Sequence, residues 1–416
     1  MSANIVSIFS RLLKNLLKHT LGLSPLLPVL TSNTMGTDDL KLCRQWLKQP
    51  DHWYDQEVCH TFNQEFARWN HSQYAFSFMG GRVALSACIF ALALKPGDEV
   101  IVPGYTCVVV PNAFRFAGIQ VVYADIELDT YGLDAAAVIK KIGPKTKAIL
   151  IQHLYGLVCR DYQEILNIAR HNNIYIIEDC AQSTGAQYNG KNIGNQGDVA
   201  IYSCEQSKAF TTGQGGIATT NDPLLGQRLQ VFYHNAPFPD TVRIDHLLQT
   251  LLFNYYTLAH PRRWLLKEWA YHKYGIKALV STTPEEIVGI KPSYYGCKMP
   301  APLAAIALNQ LHKLDHFNQL RRNQAAAWNH WCEQNHYHVP LVIPGSTPIF
   351  LRYPVLVAPA QKKDLSWAVQ QLSLKPGIWF ETHIHPADFP VSDCPNADQA
   401  VAQCINLPTL GVKHKK

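Results

Sequence analysis

The sequence predicts an α/β fold in which helices cover both faces of a mostly parallel sheet, followed by a smaller C-terminal α+β domain. Between about residues 74 and 220, short apolar runs rich in β-branched residues alternate with helical patterns. Continuous apolar runs are typical of strands that are buried on both faces, as the strands of parallel sheets are. The chain has 416 residues, which is long enough for two domains.

Seven strands are expected in this region, with helical segments between them. The expected strands cover residues 74–78, 99–103, 119–124, 148–153, 174–178, 199–203 and 216–219. The expected helices cover residues 82–94, 108–117, 135–142 and 162–171. Sheets of this kind bind ligands beyond the carboxyl ends of their strands. Polar residues at those ends are therefore the candidates for function.

The rest of the chain divides by pattern into three further parts. Residues 1–52 form an N-terminal helical segment, in which residues 5–17 have the spacing of a basic amphipathic helix. Such a helix docks on the body or a partner subunit, or rests on a membrane surface. After a large domain at 53–239, residues 240–298 form a helical, aromatic-rich insertion that is too polar to span a membrane. Residues 299–416 form the small domain.

Composition excludes several classes of protein. The net charge is +6, but no dense block of lysine and arginine accounts for it, so a nucleic-acid-binding face is not expected. The eleven cysteines are scattered, which favours reduced thiols in a cytoplasmic protein, with membrane-surface attachment as a weaker alternative. No group of cysteines and histidines has zinc-finger spacing, and no metal is expected.

A lysine between a strand and a glycine-rich turn is the strongest local signal. Lys208 follows the strand at 199–203 and precedes Gly213, Gly215 and Gly216, which permit close backbone approach. A partly desolvated lysine is a good amine for imine formation. Read alone, such a lysine is more often a solvated loop residue, so the interpretation depends on the residues around it.

An acidic residue ends another expected strand. Asp179 lies in the run IYIIEDCAQ that extends from Ile174 to Gln182. A carboxylate at a buried strand end is costly without a cationic partner, and the pyridinium nitrogen of pyridoxal phosphate (PLP) is such a partner. Gln182 is placed to contact the ring or its hydroxyl. A helix N-cap is the alternative role of Asp179.

A candidate phosphate site precedes the first expected helix. Gly80 and Gly81 follow the strand at 74–78 and stand where the helix begins. Backbone amides at a helix N-terminus bind anions, and Arg82 could add charge. Ser203, five residues before Lys208, supplies a hydroxyl that could reach the same phosphate.

These elements, taken in order, resemble the DegT/StrS-type sugar aminotransferases. The resemblance covers roughly residues 53–408. Its motifs are KPGDEVIVP at 95–103, ADI at 124–126, HLYG at 153–156, EDCAQ at 178–182, GD at 197–198, TTGQGG at 211–216 after Ser203 and Lys208, CPNA at 394–397 and INLP at 405–408.

The resemblance implies a three-layer PLP enzyme of fold type I that works as a homodimer. It implies that Lys208 carries PLP as a Schiff base and is the base of the proton shift. The other cofactor contacts that it implies are Gly81, Arg82, Asp179, Gln182 and Ser203. Glutamate would load the amine, and a keto-sugar, usually nucleotide-linked, would receive it in cell-surface polysaccharide or amino-sugar biosynthesis.

Several positions depart from the family pattern. Gln214 stands where the family usually has glutamate, and Arg82 stands where threonine is common. Cys107 takes the place of an aromatic residue that often stacks on PLP, so either Tyr105 replaces the stack or a small residue is tolerated. The family segment that brings a phosphate contact from the partner subunit has lost its asparagine here, and Lys298 keeps only the charge.

Four residues are candidates for substrate contact: Tyr105, His153, Arg352 and His385. Two other functions compete with amino transfer. A PLP-dependent sugar dehydratase is one, but in that branch of the family a histidine replaces the lysine that this chain keeps as Lys208. A non-catalytic relative with a regulatory or assembly role is the other.

Overall fold

A computed structural model describes residues 31–258, 282–389 and 391–411. The strands are β1 (Tyr74–Phe78), β2 (Glu99–Pro103), β3 (Thr106–Cys107), β4 (Gln120–Ala124), β5 (Thr146–Gln152), β6 (Tyr175–Asp179), β7 (Gln187–Tyr188), β8 (Lys191–Asn192), β9 (Val199–Ser203), β10 (Gly216–Thr220), β11 (Ser346–Thr347), β12 (Tyr353–Leu356), β13 (Ile384–His385) and β14 (Cys404–Leu407). The expected helix at 5–17 and the stretch at 259–281 lie outside the described residues.

Thirteen α-helices lie in the described residues. They are α1 (Thr37–Leu47), α2 (Gln56–Asn70), α3 (Gly81–Ala91), α4 (Val109–Phe116), α5 (Ala135–Lys141), α6 (Tyr162–His171), α7 (Pro223–Asn235), α8 (Thr241–Leu258), α9 (Pro284–Ile287), α10 (Ala301–Gln334), α11 (Pro359–Lys363), α12 (Ser366–Leu372) and α13 (Pro395–Gln403). Short 3-10 turns occur at Pro50–His52 and Leu154–Gly156. Several helices begin at aspartate caps; Asp222, for example, accepts the backbone N–H of Leu224 at 2.7 Å before α7.

The central sheet has seven strands in the order β1-β10-β9-β6-β5-β2-β4. Strand β10 is antiparallel to both of its neighbours, and the pairs from β9 to β4 are parallel. Six strands therefore point the same way, which confirms the predicted mostly parallel sheet. Their carboxyl ends lie along one edge, so residues that end β1, β6 and β9 come close together.

Alternating side chains of the buried strands supply a core on each face of the sheet. In β5, Ile149 and Ile151 enter one core, together with residues of α2 and α10. Ala148 and Leu150 point to the other face and pack with residues of α3, α4 and α7. Successive side chains of a strand point to opposite faces of the sheet, and helices cover both faces. The strands are therefore continuous apolar runs in the sequence.

A third core belongs to the small C-terminal lobe. There β12 pairs antiparallel with β14, and Tyr353, Val355, Ile405 and Leu407 pack against the last turns of α10. Helix α10 runs without a break from the large core into this lobe. The domain boundaries expected at residues 52, 239 and 298 stay predictions.

The cysteines and the apolar character of the helices can be compared with the expectations drawn from composition. All eleven cysteines are free, and all except Cys107 are buried. None of the described helices combines the length and the apolar character needed to cross a bilayer.

Candidate active site

A cavity of about 80 Å³ lies at the carboxyl edge of the sheet. The ends of three strands supply five of the six residues predicted to bind a cofactor. Gly81 and Arg82 follow β1, Asp179 ends β6, and Ser203 ends β9 before Lys208. All of them, and Gln182, line the cavity. Parallel strands bring these distant segments to one place, as the fold class requires.

Lys208 lies on a tight loop between β9 and β10. Its backbone N–H donates to the carbonyl of Glu205 at 3.0 Å, and the side chain is partly exposed toward the cavity. Its Nζ is 5.5 Å from the centre of the Trp379 ring. The loop closes where the N–H of Thr212 donates to the carbonyl of Cys204 at 2.9 Å. The lysine is therefore held on an ordered loop and not on a solvated one.

Two buried arginines hold the backbone on either side of Lys208. Arg321 donates to the carbonyl of Ala209 at 2.7 Å, and Arg352 donates to the carbonyl of Ser207 at 3.4 Å. Burial lowers the pKa of Arg321 to about 9, with the neighbouring charge of Arg352 contributing, and lowers the pKa of Arg352 to about 10. Arg321 was missed in the sequence because nothing local links it to the lysine loop.

The carboxylate of Asp179 is buried in the cavity wall. One oxygen accepts the N–H of Ala181 at 2.9 Å and closes a turn. The next element along the chain is strand β7, so the helix N-cap expected as an alternative is wrong. Burial raises the pKa of Asp179, although the Ala181 N–H and the charges of Lys208 and His153 oppose the rise. A buried carboxylate of this kind favours a cationic ligand group, such as a protonated ring nitrogen.

Backbone packs on backbone at the expected phosphate turn. Gly80 caps α3 without a side-chain hydrogen bond, which leaves the helix N-terminus facing the cavity. A Cβ on Gly216 would lie 2.3 Å from the carbonyl carbon of Gly80, and one on Gly81 would lie 3.3 Å from Cβ of Ser203. We call the turn formed by Gly80, Gly81 and Gly216 the glycine cradle. A side chain at these positions would crowd the turn, whereas glycine leaves its backbone amides and the Ser203 hydroxyl open to a phosphate group.

The guanidinium of Arg82 is engaged by protein groups. It forms a buried ion pair with Glu286, and its Nη1 donates to the hydroxyl of Tyr294 at 3.3 Å. The expectation that its side chain adds charge for a phosphate is therefore not supported by its contacts. Arg82 still contributes to the wall of the cavity at the start of α3.

None of the four predicted substrate contacts is among the residues that line the cavity. Arg352 is buried behind the lysine loop, and two others lie deeper in the core. His153 is fully buried; its Nδ1 accepts the N–H of Cys159 at 3.3 Å and its Nε2 lies 3.3 Å from Glu178. Tyr105 is also fully buried, and its hydroxyl accepts the backbone N–H of Phe380 at 2.9 Å. We therefore correct both expectations: these side chains support the site from within the core.

Cys107 and Phe380 form part of the wall instead. Cys107 occupies the place expected for a stacking ring, so the alternative in which a small residue is tolerated is the one the structure supports. Phe380 was missed, although it follows Trp379 in the run that contains His385. His385 stacks on Phe380 with 5.3 Å between ring centres, one side chain behind the wall.

Glu178, beside Asp179, holds a neighbouring loop. Its carboxylate accepts the hydroxyl of Tyr162 at 2.6 Å and the N–H groups of Gly194 at 2.7 Å and Gly197 at 2.6 Å. Glu178, His153 and Cys180 come close enough to hold a metal ion. Because protein donors already surround this carboxylate, we assign the cluster a structural role.

The chain matches one protein family over most of its length. A model of the DegT/DnrJ/EryC1/StrS aminotransferase family matches residues 33–412. GDP-perosamine synthase of Escherichia coli O157:H7 is 40% identical over 167 residues, which cover 40% of this chain and 46% of that protein. The dTDP-3-amino-3,6-dideoxy-alpha-D-galactopyranose transaminase of Aneurinibacillus thermoaerophilus is 40% identical over 200 residues, which cover 46% of this chain and 55% of that protein. The chain spans about half the length of the curated relatives it matches.

Solved structures share the fold over most of the chain. DesV of S. venezuelae has a TM-score of 0.70 and 24% identity, covering 92% of this chain and 93% of that one. PseC of Helicobacter pylori, an aminotransferase involved in the biosynthesis of pseudoaminic acid, has a TM-score of 0.69 and 16% identity, with coverage of 92% and 93%. These likenesses confirm the predicted fold of type I.

Proposed function

Because the chain belongs to the DegT/DnrJ/EryC1/StrS aminotransferase family, we propose that it is a PLP-dependent aminotransferase that acts on a nucleotide-linked keto-sugar. One observation carries the proposal: Lys208, Asp179, Gly81 and Ser203 line the same cavity, although three separate segments of the chain supply them. An amine, a buried acid and an anion cradle are the three groups that PLP needs.

The cavity residues fit PLP by their chemistry. Asp179 would hold the ring nitrogen, Gln182 would contact the ring, and the turn at Gly81 with Ser203 would hold the phosphate. Lys208 would carry the cofactor. When bound, PLP supplies an electron-withdrawing ring that stabilises negative charge on the carbon next to the amine.

The chain's own residues then have defined tasks. Nζ of Lys208 would accept and return the proton that moves during transfer. Its position depends on the loop that Arg321 and Arg352 hold through the carbonyls of Ala209 and Ser207. Cys107 and Phe380 line the cavity, where they would help to exclude water from the reacting atoms.

The donor and acceptor belong to the same proposal. We assign glutamate as donor and Arg352 as the contact for a donor carboxylate, since its Nε is buried without a hydrogen-bond partner among the described residues. Relatives named for GDP- and dTDP-linked sugars support a nucleotide-linked acceptor. The product would enter cell-surface polysaccharide or amino-sugar biosynthesis, and the active unit would be a homodimer.

The two half-reactions test this proposal separately. Purified enzyme loaded with PLP should change its visible absorbance when glutamate is added, and D-glutamate serves as the control. The converted enzyme should recover its first spectrum with a keto-sugar linked to GDP or dTDP, with the amino sugar detected by mass spectrometry. No absorbance change with glutamate or any other amino acid would overturn transamination.

A further inference from the structure

Arg243, in α8, lies directly behind one wall of the cavity. It donates from Nη2 to Oε1 of Gln214 at 2.7 Å, and its guanidinium carbon is 3.8 Å from the centre of the Tyr294 ring. Gln214 and Tyr294 both line the cavity. The arginine is half-buried, and its Nε has no hydrogen-bond partner among the described residues.

The charges around this wall do not cancel. Arg82 is neutralised by its buried ion pair with Glu286, and Tyr294 bonds to both partners. Arg243 has no carboxylate within ion-pair distance in the part of the chain that the structure describes; Asp240 caps its backbone N–H at 2.7 Å and is exposed. Around Gln214 and Tyr294 there are therefore two guanidinium groups, those of Arg82 and Arg243, and one buried carboxylate, that of Glu286.

The amide side chain of Gln214 explains why the positive charge of Arg243 is not neutralised by a protein carboxylate. A carboxylate in place of the Gln214 amide would hold Arg243 in an ion pair. An amide satisfies one N–H of the guanidinium but leaves its charge uncompensated. A stronger acceptor, such as a phosphate oxygen, can therefore replace the amide.

We propose that Arg243 is an anion-binding residue for a phosphate group in the cavity, and that Gln214 keeps it free for this task. The phosphate chemistry rests on the proposed function, which offers two sources, the cofactor and the nucleotide of the sugar. Arginine binds phosphate well because its planar donors match two oxygens at once. Arg243 lies in helix α8, so the insertion predicted at residues 240–298 would supply this subsite.

Equilibrium binding tests the proposal without turnover. Apoenzyme is titrated with PLP and with pyridoxal, which lacks the phosphate, and loaded enzyme is titrated with GDP and dTDP by calorimetry. We expect Arg243→Gln to weaken one phosphate ligand about 10-fold, and Arg243→Lys to recover part of the loss. Arg170→Gln, on the exposed face of α6, is the control for net charge.

The pattern of losses identifies the source. Weaker PLP with unchanged pyridoxal assigns Arg243 to the cofactor phosphate, and weaker GDP or dTDP assigns it to the nucleotide. Less than a twofold change in all of these ligands, or an equal loss for pyridoxal, would overturn the proposal. Failure of the proposed function would show differently, as an absence of cofactor on Lys208; the nucleotide titrations, repeated with cofactor-free enzyme, would then still report on Arg243.

A double-mutant cycle tests the role of Gln214. Gln214→Glu should weaken phosphate binding in the native background, because the new carboxylate sequesters Arg243. The same substitution should cost less when Arg243 is already glutamine. Equal or larger losses in that background would mean direct repulsion by the carboxylate and would contradict the proposed coupling.

Discussion

Arg82 and Glu286 form an ion pair that is almost completely buried beside the cavity, with 9% and 1% of their side chains exposed. One residue starts the helix behind the phosphate turn, and the other lies in the short helix α9 after residues 259–281. The pair therefore fastens the end of the insertion to the candidate cofactor site. Asn112 adds a second attachment by donating to the carbonyl of Glu286 at 2.7 Å.

Removing the carboxylate should be strongly destabilising. We expect Glu286→Ala to lower the free energy of unfolding by about 3–5 kcal/mol, because it leaves a buried guanidinium without its counter-ion. Urea denaturation followed by circular dichroism measures this change. Glu285→Ala, at the exposed neighbouring position, should behave like the native protein. Equal stability of the two variants would contradict the structural role of the pair.

Closing the glycine cradle should weaken cofactor binding. Gly216→Ala places a Cβ 2.3 Å from the Gly80 carbonyl carbon and forces the phosphate turn away from β10. We expect a stability loss of about 1–3 kcal/mol and at least a roughly 10-fold weaker affinity for PLP, measured by thermal unfolding and fluorescence titration. Gly143→Ala is the control, since the nearest atom to its Cβ is 3.9 Å away. If both variants bind PLP equally, the cradle has no role.

Asp179→Asn should raise the stability of the cofactor-free protein and weaken its binding of PLP. Burial raises the pKa of Asp179, so its ionised form disfavours the folded cofactor-free protein. This penalty is complete above the folded pKa and disappears as the pH falls toward the unfolded value. The amide keeps an oxygen for the Ala181 N–H. We therefore expect the cofactor-free variant to melt at a higher temperature at pH 7, with the difference shrinking at lower pH.

The same variant should bind PLP poorly, because an amide cannot neutralise a protonated ring nitrogen. Thermal unfolding across a pH series and PLP titration provide the two readouts. A cofactor-free variant that is less stable at pH 7 than the native protein would show that the assigned pKa direction is wrong.

Arg352→Gln should affect the amino donor selectively. If its guanidinium binds a donor carboxylate, the Michaelis constant for glutamate should rise about 10- to 100-fold. The sugar half-reaction, measured with enzyme that already carries the amine, should keep its Michaelis constant. Arg322→Gln is the matched control, since this arginine is bonded to Gln319 in its own helix, away from the lysine loop. Equal changes in both half-reactions would indicate that Arg352 only supports the lysine loop.

The strands and the main groups of the site could be predicted because their signals are local. The expected strands at 74–78, 99–103 and 199–203 match β1, β2 and β9 in full. Each is an apolar run that ends at a polar or glycine-rich segment. Lys208 and Asp179 could be placed together because parallel strands end at one edge, which is a property of the fold class.

The supporting contacts could not be predicted, since they join residues that are far apart in the sequence. Helix α10, Ala301–Gln334, packs Trp328 and Cys332 of its second half into the small lobe, far from the residues that its first half contacts. Nothing near Arg82 indicates Glu286 as its partner. His153 lies in a recognisable motif, but its burial against Glu178 becomes visible only when the strands are assembled.

Reduction of the loaded enzyme with borohydride tests the central claim most directly. Borohydride fixes PLP on the amine that carries it, and peptide mass spectrometry then identifies the residue. We expect a single PLP adduct on Lys208, loss of the visible absorbance and loss of activity, with no adduct in Lys208→Ala. An adduct on another lysine, or a protein that takes up no PLP, would contradict it.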